Sequence, residues 1–180
     1  MNCKSGFVFI AAFTMMLVMS TAIAQKNKPK RTSSPHWKYM ANTKIDWQPY
    51  GEQAFALAKK SDRPLYVFIY ADWCQWCEKF EKETLETDLI RKEIRNKFIP
   101  VAVDIDVQPK LAKKLGATLV PTSLIVSPDA KKLIRFYGVT SAADLSDTLR
   151  QVLIAWREGR LPTTDFFGET STCCPITPPP

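Results

Sequence analysis

Cys74 and Cys77 stand two residues apart just after the apolar run Pro64 to Ala71. A dithiol at the mouth of a strand and the start of a helix can be tuned for exchange with other disulfides. Reading Leu65 to Tyr70 as a buried strand and Glu78 onward as a helix places Cys74 near the helix N-terminus, where unpaired backbone N–H groups and the helix dipole favour an anion. A thiolate is that anion, and it is the species that attacks a disulfide. Cys77, about one helical turn later, is placed to resolve the mixed disulfide. Cys74 is therefore the expected nucleophile and Cys77 the resolving thiol.

The same spacing serves half of a zinc site or a static disulfide. The other cysteines beyond the first segment are Cys173 and Cys174, and His36 is the only histidine. Adjacent side chains are poorly placed to take two corners of one tetrahedron. The strand, dithiol, helix order favours redox chemistry, with no metal ligand or cofactor assigned.

The elements that must position this pair follow from periodicity. Ala54, Phe55, Leu57 and Ala58 recur at helical spacing until Ser61-Asp62-Arg63-Pro64 interrupts them. After the dithiol, Phe80, Leu85, Leu89, Ile90, Ile94 and Phe98 predict one long helix or two short ones, with Thr87 or Asp88 able to cap a second start. Ile99 to Ile105 reads as a strand, and Pro109 to Leu115 as a short helix stopped by Gly116. Strands over Thr122 to Val126 and Lys132 to Tyr137 flank a turn at Ser127-Pro128-Asp129-Ala130. Asp144 to Trp156 closes the domain as an amphipathic helix. This order predicts an α/β fold, a mixed sheet covered by helices on both faces.

The first residues set the expected compartment. Lys4 precedes an apolar stretch from Phe7 to Met19, and Ala22-Ile23-Ala24 supplies a small-x-small cleavage site before Gln25, so residues 1–24 read as a signal peptide. An uncleaved membrane anchor is the alternative reading, the basic n-region being short. Removing that segment takes Cys3 and Lys4 with it, lowering the formal charge from +7 to +6 and leaving four of five cysteines. An even count suits an exported chain. Lys26, Lys28, Lys30 and Arg31, among Pro29, Ser33, Ser34 and Pro35, make residues 25–44 a flexible basic leader. Without interleaved aromatics or a nucleic-acid module, nothing there points to nucleic acid. Residues 45–156 form the expected domain, and residues 157–180 an irregular tail rich in Cys and Pro.

Ala71-Asp72-Trp73-Cys74-Gln75-Trp76-Cys77 at the first strand-helix junction, with Val120-Pro121-Thr122 at a later strand entrance, resembles the thioredoxin superfamily over about residues 45 to 156. It is most similar to exported thioredoxin-like proteins with a W-C-x-W-C motif and to the C-terminal domain of membrane thiol-disulfide interchange proteins. The resemblance implies a thioredoxin-like fold, Cys74 as the exposed attacking cysteine, Cys77 as the buried resolving one, and Trp73 as an aromatic beside the site. It also implies that Pro121 is a cis-proline whose neighbour Val120 offers backbone hydrogen bonds to substrate. Trp76 either forms a contact surface for a partner or covers the dithiol.

Two departures from the family pattern stand out. Gln75-Trp76 replaces Gly-Pro between the cysteines, and Phe68 occupies the strand position of a buried carboxylate. Glu78 and Glu81 are nearby acids, each read as a solvated helix-face group. The absence of a basic residue between the cysteines leans towards a reductase or interchange protein fed by a membrane electron donor.

The expected function is thus an exported thiol-disulfide oxidoreductase acting on protein disulfides. The rival is a thioredoxin-like metallochaperone for copper or another soft metal, and a redox-inert scaffold is a third reading. Cys173-Cys174 could be a mobile second dithiol, an attachment point, a protected vicinal pair or a metal site, and the tail is expected to be dispensable for basic exchange. Oligomeric state is not legible.

Overall fold

The computed structural model describes residues 43–160, 166–167 and 173–176 of the 180-residue chain. The expected signal peptide, residues 1–24, and residues 25–42 of the expected basic leader lie outside the described residues. Thr43 and Lys44, counted with the leader, already belong to the fold: the Thr43 hydroxyl and the Lys44 N–H both donate to the Glu86 carboxylate, the latter at 3.0 Å.

Strand β2 (Leu65–Tyr70) is the centre of the sheet. All six of its side chains are buried, which requires cover on both faces. On one face Tyr66 and Phe68 meet Trp47, Phe98 and Phe80, with ring centroids 5.9 to 6.4 Å apart, and Tyr70 stacks on Phe68 at 5.6 Å. Burial of aromatic area on this scale dominates core energetics. The opposite face carries Leu65, Val67 and Ile69, equally buried.

β2 runs parallel to β3 (Ile99–Asp104) and antiparallel to β5 (Thr122–Val126), which pairs antiparallel with β6 (Lys132–Tyr137). Short flanking strands β1 (Gln48–Pro49) and β7 (Phe166–Phe167) extend the sheet to the order β1-β3-β2-β5-β6-β7. Between these strands lie α1 (Glu52–Ser61), α2 (Gln75–Phe80), α3 (Asp88–Lys97), α4 (Pro109–Lys114) and, after β6, α5 (Ala142–Arg157). The expected mixed α/β architecture is therefore the one observed.

Local chemistry sets the boundaries. Asp62 ends α1 in the left-handed conformation, and Gly116 follows α4 at φ 76°, which a Cβ disfavours. The region after the dithiol becomes two helices joined by a π-helical turn over Glu81–Leu85, and the Thr87 hydroxyl caps α3 by accepting the Ile90 N–H. Leu57 and Leu89 kept the apolar pattern but are exposed. α5 begins at Ala142, two residues before the expected Asp144, because Ser141 provides the cap.

The tail departs from the irregular expectation. Besides β7, a strand β8 (Cys174–Pro175) pairs antiparallel with β4 (Leu119–Val120), with Val120 opposite Cys174. Among the described residues no helix is long and apolar enough to cross a membrane.

Candidate active site

β2 ends at Tyr70, and the chain turns through Ala71 to Trp73 into α2, with the Cys74 N–H donating to the Ala71 carbonyl at 3.1 Å. Cys74 is the N-cap residue of α2, in extended conformation, and its sulfur accepts the Cys77 N–H at 3.3 Å. Its carbonyl accepts from Cys77 and Glu78 at 3.0 and 3.2 Å, opening the helix. A sulfur thus takes the place that a hydroxyl or carboxylate usually fills at a helix start. The helix terminus supplies the donors that a thiolate needs.

The pair is split in acidity. A hydrogen bond from the Cys77 thiol, then one from Cys174 and backbone N–H groups of Cys77 and Trp76, bring the Cys74 thiol down to about 6 in spite of its burial. Burial pushes the Cys77 thiol far up, and the neighbouring Cys74 adds to the rise. One cysteine is thereby poised as thiolate near neutral pH and the other holds its proton.

β4 and the Val120–Pro121 bond, which is cis, face this sulfur. The Cys74 thiol lies 3.5 Å from the Val120 carbonyl oxygen. Pro121 is buried and its carbonyl accepts from Gly138 at 2.9 Å, tying β4 to the end of β6. Cys74, Cys77, Val120 and Pro121 are thus gathered at one end of the sheet. Trp73 is 50% exposed beside them, while Trp76 is partly buried against the core with the Lys79 ammonium 5.4 Å from its ring centroid.

Two expectations are corrected. Cys74 is not exposed but only 1% accessible, because Val120 and the tail residue Cys174 lie against its sulfur, the latter at 3.0 Å. Glu81 is not a solvated helix-face group: it is 7% exposed, and burial followed by the Glu86 charge raises its carboxyl to about 7. Glu78 does stay at the surface side, paired with Lys82. Cys77, Phe80, Glu81, Thr84 and Leu85 form one buried stripe at helical spacing, a sequence signal that places Glu81 inside. The Tyr70 hydroxyl, buried among the fields of Asp104, Asp72, Glu81 and Cys77, has its ionisation pushed strongly up, first by desolvation.

Cys74, Cys77, Cys173 and Cys174 are all thiols. Among the described residues no group of three or more His, Cys, Asp or Glu side chains is arranged to hold a metal ion.

Comparison with known proteins adds a family. The model for Thioredox_DsbH (protein of unknown function, DUF255) matches residues 26–160. An uncharacterized protein of Caenorhabditis elegans is 30% identical over 128 residues, 67% of this chain and 17% of that one. The thiol:disulfide interchange protein DsbD of Yersinia pestis is 26% identical over 63% of this chain and 22% of its own length. The chain therefore spans less than a quarter of these curated relatives. Among solved structures, a thioredoxin from Thermus thermophilus aligns at TM-score 0.56 and 24% identity, covering 62% of this chain and 88% of that one. That likeness shows a thioredoxin-like fold.

Proposed function

The chain belongs to the Thioredox_DsbH (DUF255) family of the thioredoxin superfamily, and from that premise we propose that it is an exported thiol-disulfide oxidoreductase, a reductase or interchange protein acting on protein disulfides. One observation carries the reading: the Cys74 sulfur caps α2, accepts the Cys77 N–H, and stands one helical turn before a buried, proton-holding Cys77. Similarity to an interchange protein supports the same class of chemistry.

In the reaction, the Cys74 thiolate attacks one sulfur of the substrate disulfide, forming a mixed disulfide and releasing the other sulfur as a thiolate that takes up a proton. Cys77 then gives up its proton and attacks the Cys74 sulfur, which closes the Cys74–Cys77 disulfide and frees the second substrate thiol. The backbone of Val120 borders the place where the substrate chain would lie.

Magnitude bears on direction. Attacking thiols range from ~3.5 in strong oxidants to ~7 in reductants, and Cys74 at about 6 is nearer the reducing end. That favours the reductase or interchange role, with electrons returned to the Cys74–Cys77 disulfide by a membrane donor. Export rests on the expected signal peptide, and its check is the N-terminus of protein recovered outside the cytoplasm, which should be Gln25.

The test of the activity is reduction of insulin disulfides with dithiothreitol as electron source. Cys74→Ser should fall to the uncatalysed rate, whereas Cys77→Ser should accumulate mixed disulfides. Turnover surviving in Cys74→Ser, or equal trapping by both variants, would remove the assignment.

A further inference from the structure

The two-step exchange uses Cys74 and Cys77 and leaves Cys173 and Cys174 without a task. Yet β8 is laid against β4 so that Cys174 stands opposite Val120, and Pro175 opposite Leu119. The Ile176 N–H donates to the Thr118 carbonyl at 3.3 Å, and Ile176 packs against the core, lining a cavity together with Ile105, Pro109, Ala112, Ala117 and Thr118. Adding an extended segment to a short free edge is how peptides are commonly bound to sheets, main-chain pairing giving affinity and one side chain giving register. Here the register brings the Cys174 sulfur to 3.0 Å from that of Cys74. Of all four described cysteines, Cys174 is the one the tail presents to the nucleophile, and Cys173 lies one residue outside the ladder.

We propose that the chain carries its own disulfide partner: Cys173 and Cys174 form a second dithiol that exchanges electrons with Cys74 and Cys77 through an intramolecular Cys74–Cys174 disulfide. This relay rests on the oxidoreductase reading above and extends it to the tail. Starting from a reduced core and an oxidised tail, the Cys74 thiolate attacks the Cys174 sulfur of the Cys173–Cys174 disulfide. The Cys74–Cys174 bond forms, and Cys173 leaves as a thiolate that takes a proton from solvent. Cys77 then loses its proton and attacks Cys74, the Cys74–Cys77 bond forms, and Cys174 leaves and takes up a proton in turn. Two electrons pass from core to tail, and no outside oxidant is needed. The reverse sequence reduces the core from a reduced tail. Partial burial, and then the hydrogen bond to Cys74, push the Cys174 thiol up to about 11, so it keeps its proton and donates to the Cys74 thiolate between turnovers. Since β8 occupies the edge beside Val120, a protein disulfide reaches Cys74 only when the tail leaves, or exchanges with the tail pair instead.

The test uses the full chain carrying Cys77→Ser, which cannot resolve a Cys74 disulfide. The reduced protein is treated with one equivalent of diamide, quenched in acid, alkylated, digested and mapped by mass spectrometry. The Cys74 peptide should be joined to the Cys173-Cys174 peptide within one chain. That link should persist when Cys173→Ser is added and fall at least tenfold when Cys174→Ser is added. In the otherwise unaltered chain, one equivalent of oxidant, enough for one disulfide per chain, should distribute between the Cys74–Cys77 and the Cys173–Cys174 disulfides. Equal linkage through either tail cysteine, linkage only between two copies, or no tail linkage would each overturn the relay. Insulin reduction measured on the same unaltered protein separates the two ideas, because turnover without the tail link sinks the relay and spares the oxidoreductase.

Discussion

At the scale of single residues, the split between Cys74 and Cys77 makes a pH prediction. Below about 6 the Cys74 sulfur is mostly protonated and slow to alkylate, and above it the thiolate dominates. Iodoacetamide labelling of the reduced protein should therefore rise through about pH 6 and level off, while Cys77 stays unlabelled to much higher pH. Because a Cys174 hydrogen bond contributes to the low value, Cys174→Ala, which removes the donor, should move the midpoint upward. A midpoint near the ordinary thiol value of ~8.5 would show that the helix start and its donors do not stabilise the thiolate. Glu81 makes the opposite kind of prediction, about stability. Its folded-state carboxyl titrates at about 7, well above the unfolded ~4.3. The folded state thus binds more protons between those values, and its stability falls as pH rises from about 4.5 to 7. Glu81→Gln should flatten that dependence and raise stability at pH 8 by about 1–2 kcal/mol, a figure reduced for solvent screening. Urea midpoints of both proteins at pH 5 and pH 8 provide the comparison, and identical slopes with pH would show that Glu81 is not the group responsible.

At the scale of elements, α2 and α3 are held to the sheet by separate starts. The Thr87 hydroxyl accepts the Ile90 N–H at 3.4 Å and donates to the Thr84 carbonyl at 2.7 Å, closing the π-helical turn and opening α3 together. Thr87→Ala should cost about 1 kcal/mol in urea unfolding, the usual scale for a lost N-cap. Insulin reduction should stay near the unaltered rate, because the Cys74 cap belongs to α2. A loss of activity at unchanged stability would instead tie the α2–α3 junction to the site.

At the scale of the whole molecule, the question is what the tail does to access. Truncation after Arg160 removes β7, β8 and both tail cysteines but neither Cys74 nor Cys77. Circular dichroism and urea unfolding should first establish that the sheet from β1 to β6 persists. Cys74 alkylation should then speed up severalfold, since the 3.0 Å contact that helps bury its sulfur is gone. Reduction of a small disulfide should remain within a few-fold of the full chain. Slower alkylation in the truncated protein would mean that β8 exposes Cys74 rather than shields it.

Much of this was legible before any tertiary structure. β2, β5 and β6 stand at the expected residues because their apolar runs are bounded by Pro64, Cys74 and the Ser127 to Ala130 turn. The dithiol and its place at a helix start were legible because C-x-x-C chemistry depends on spacing within one turn, which is local. The buried place of Glu81 was legible in principle from helical periodicity, but a charge on a helix reads as surface until its neighbours are known. β1, β4 and β8 carried no local signal, since two-residue strands exist only through the partner that supplies their hydrogen bonds. The approach of Cys174 to Cys74 spans 100 positions in the chain. Sequence by itself determined the chemistry of each thiol type and the elements that carry the first pair. Only the tertiary structure decided that the second pair meets it, because contacts at that separation are set by strand register and packing, which no local pattern encodes.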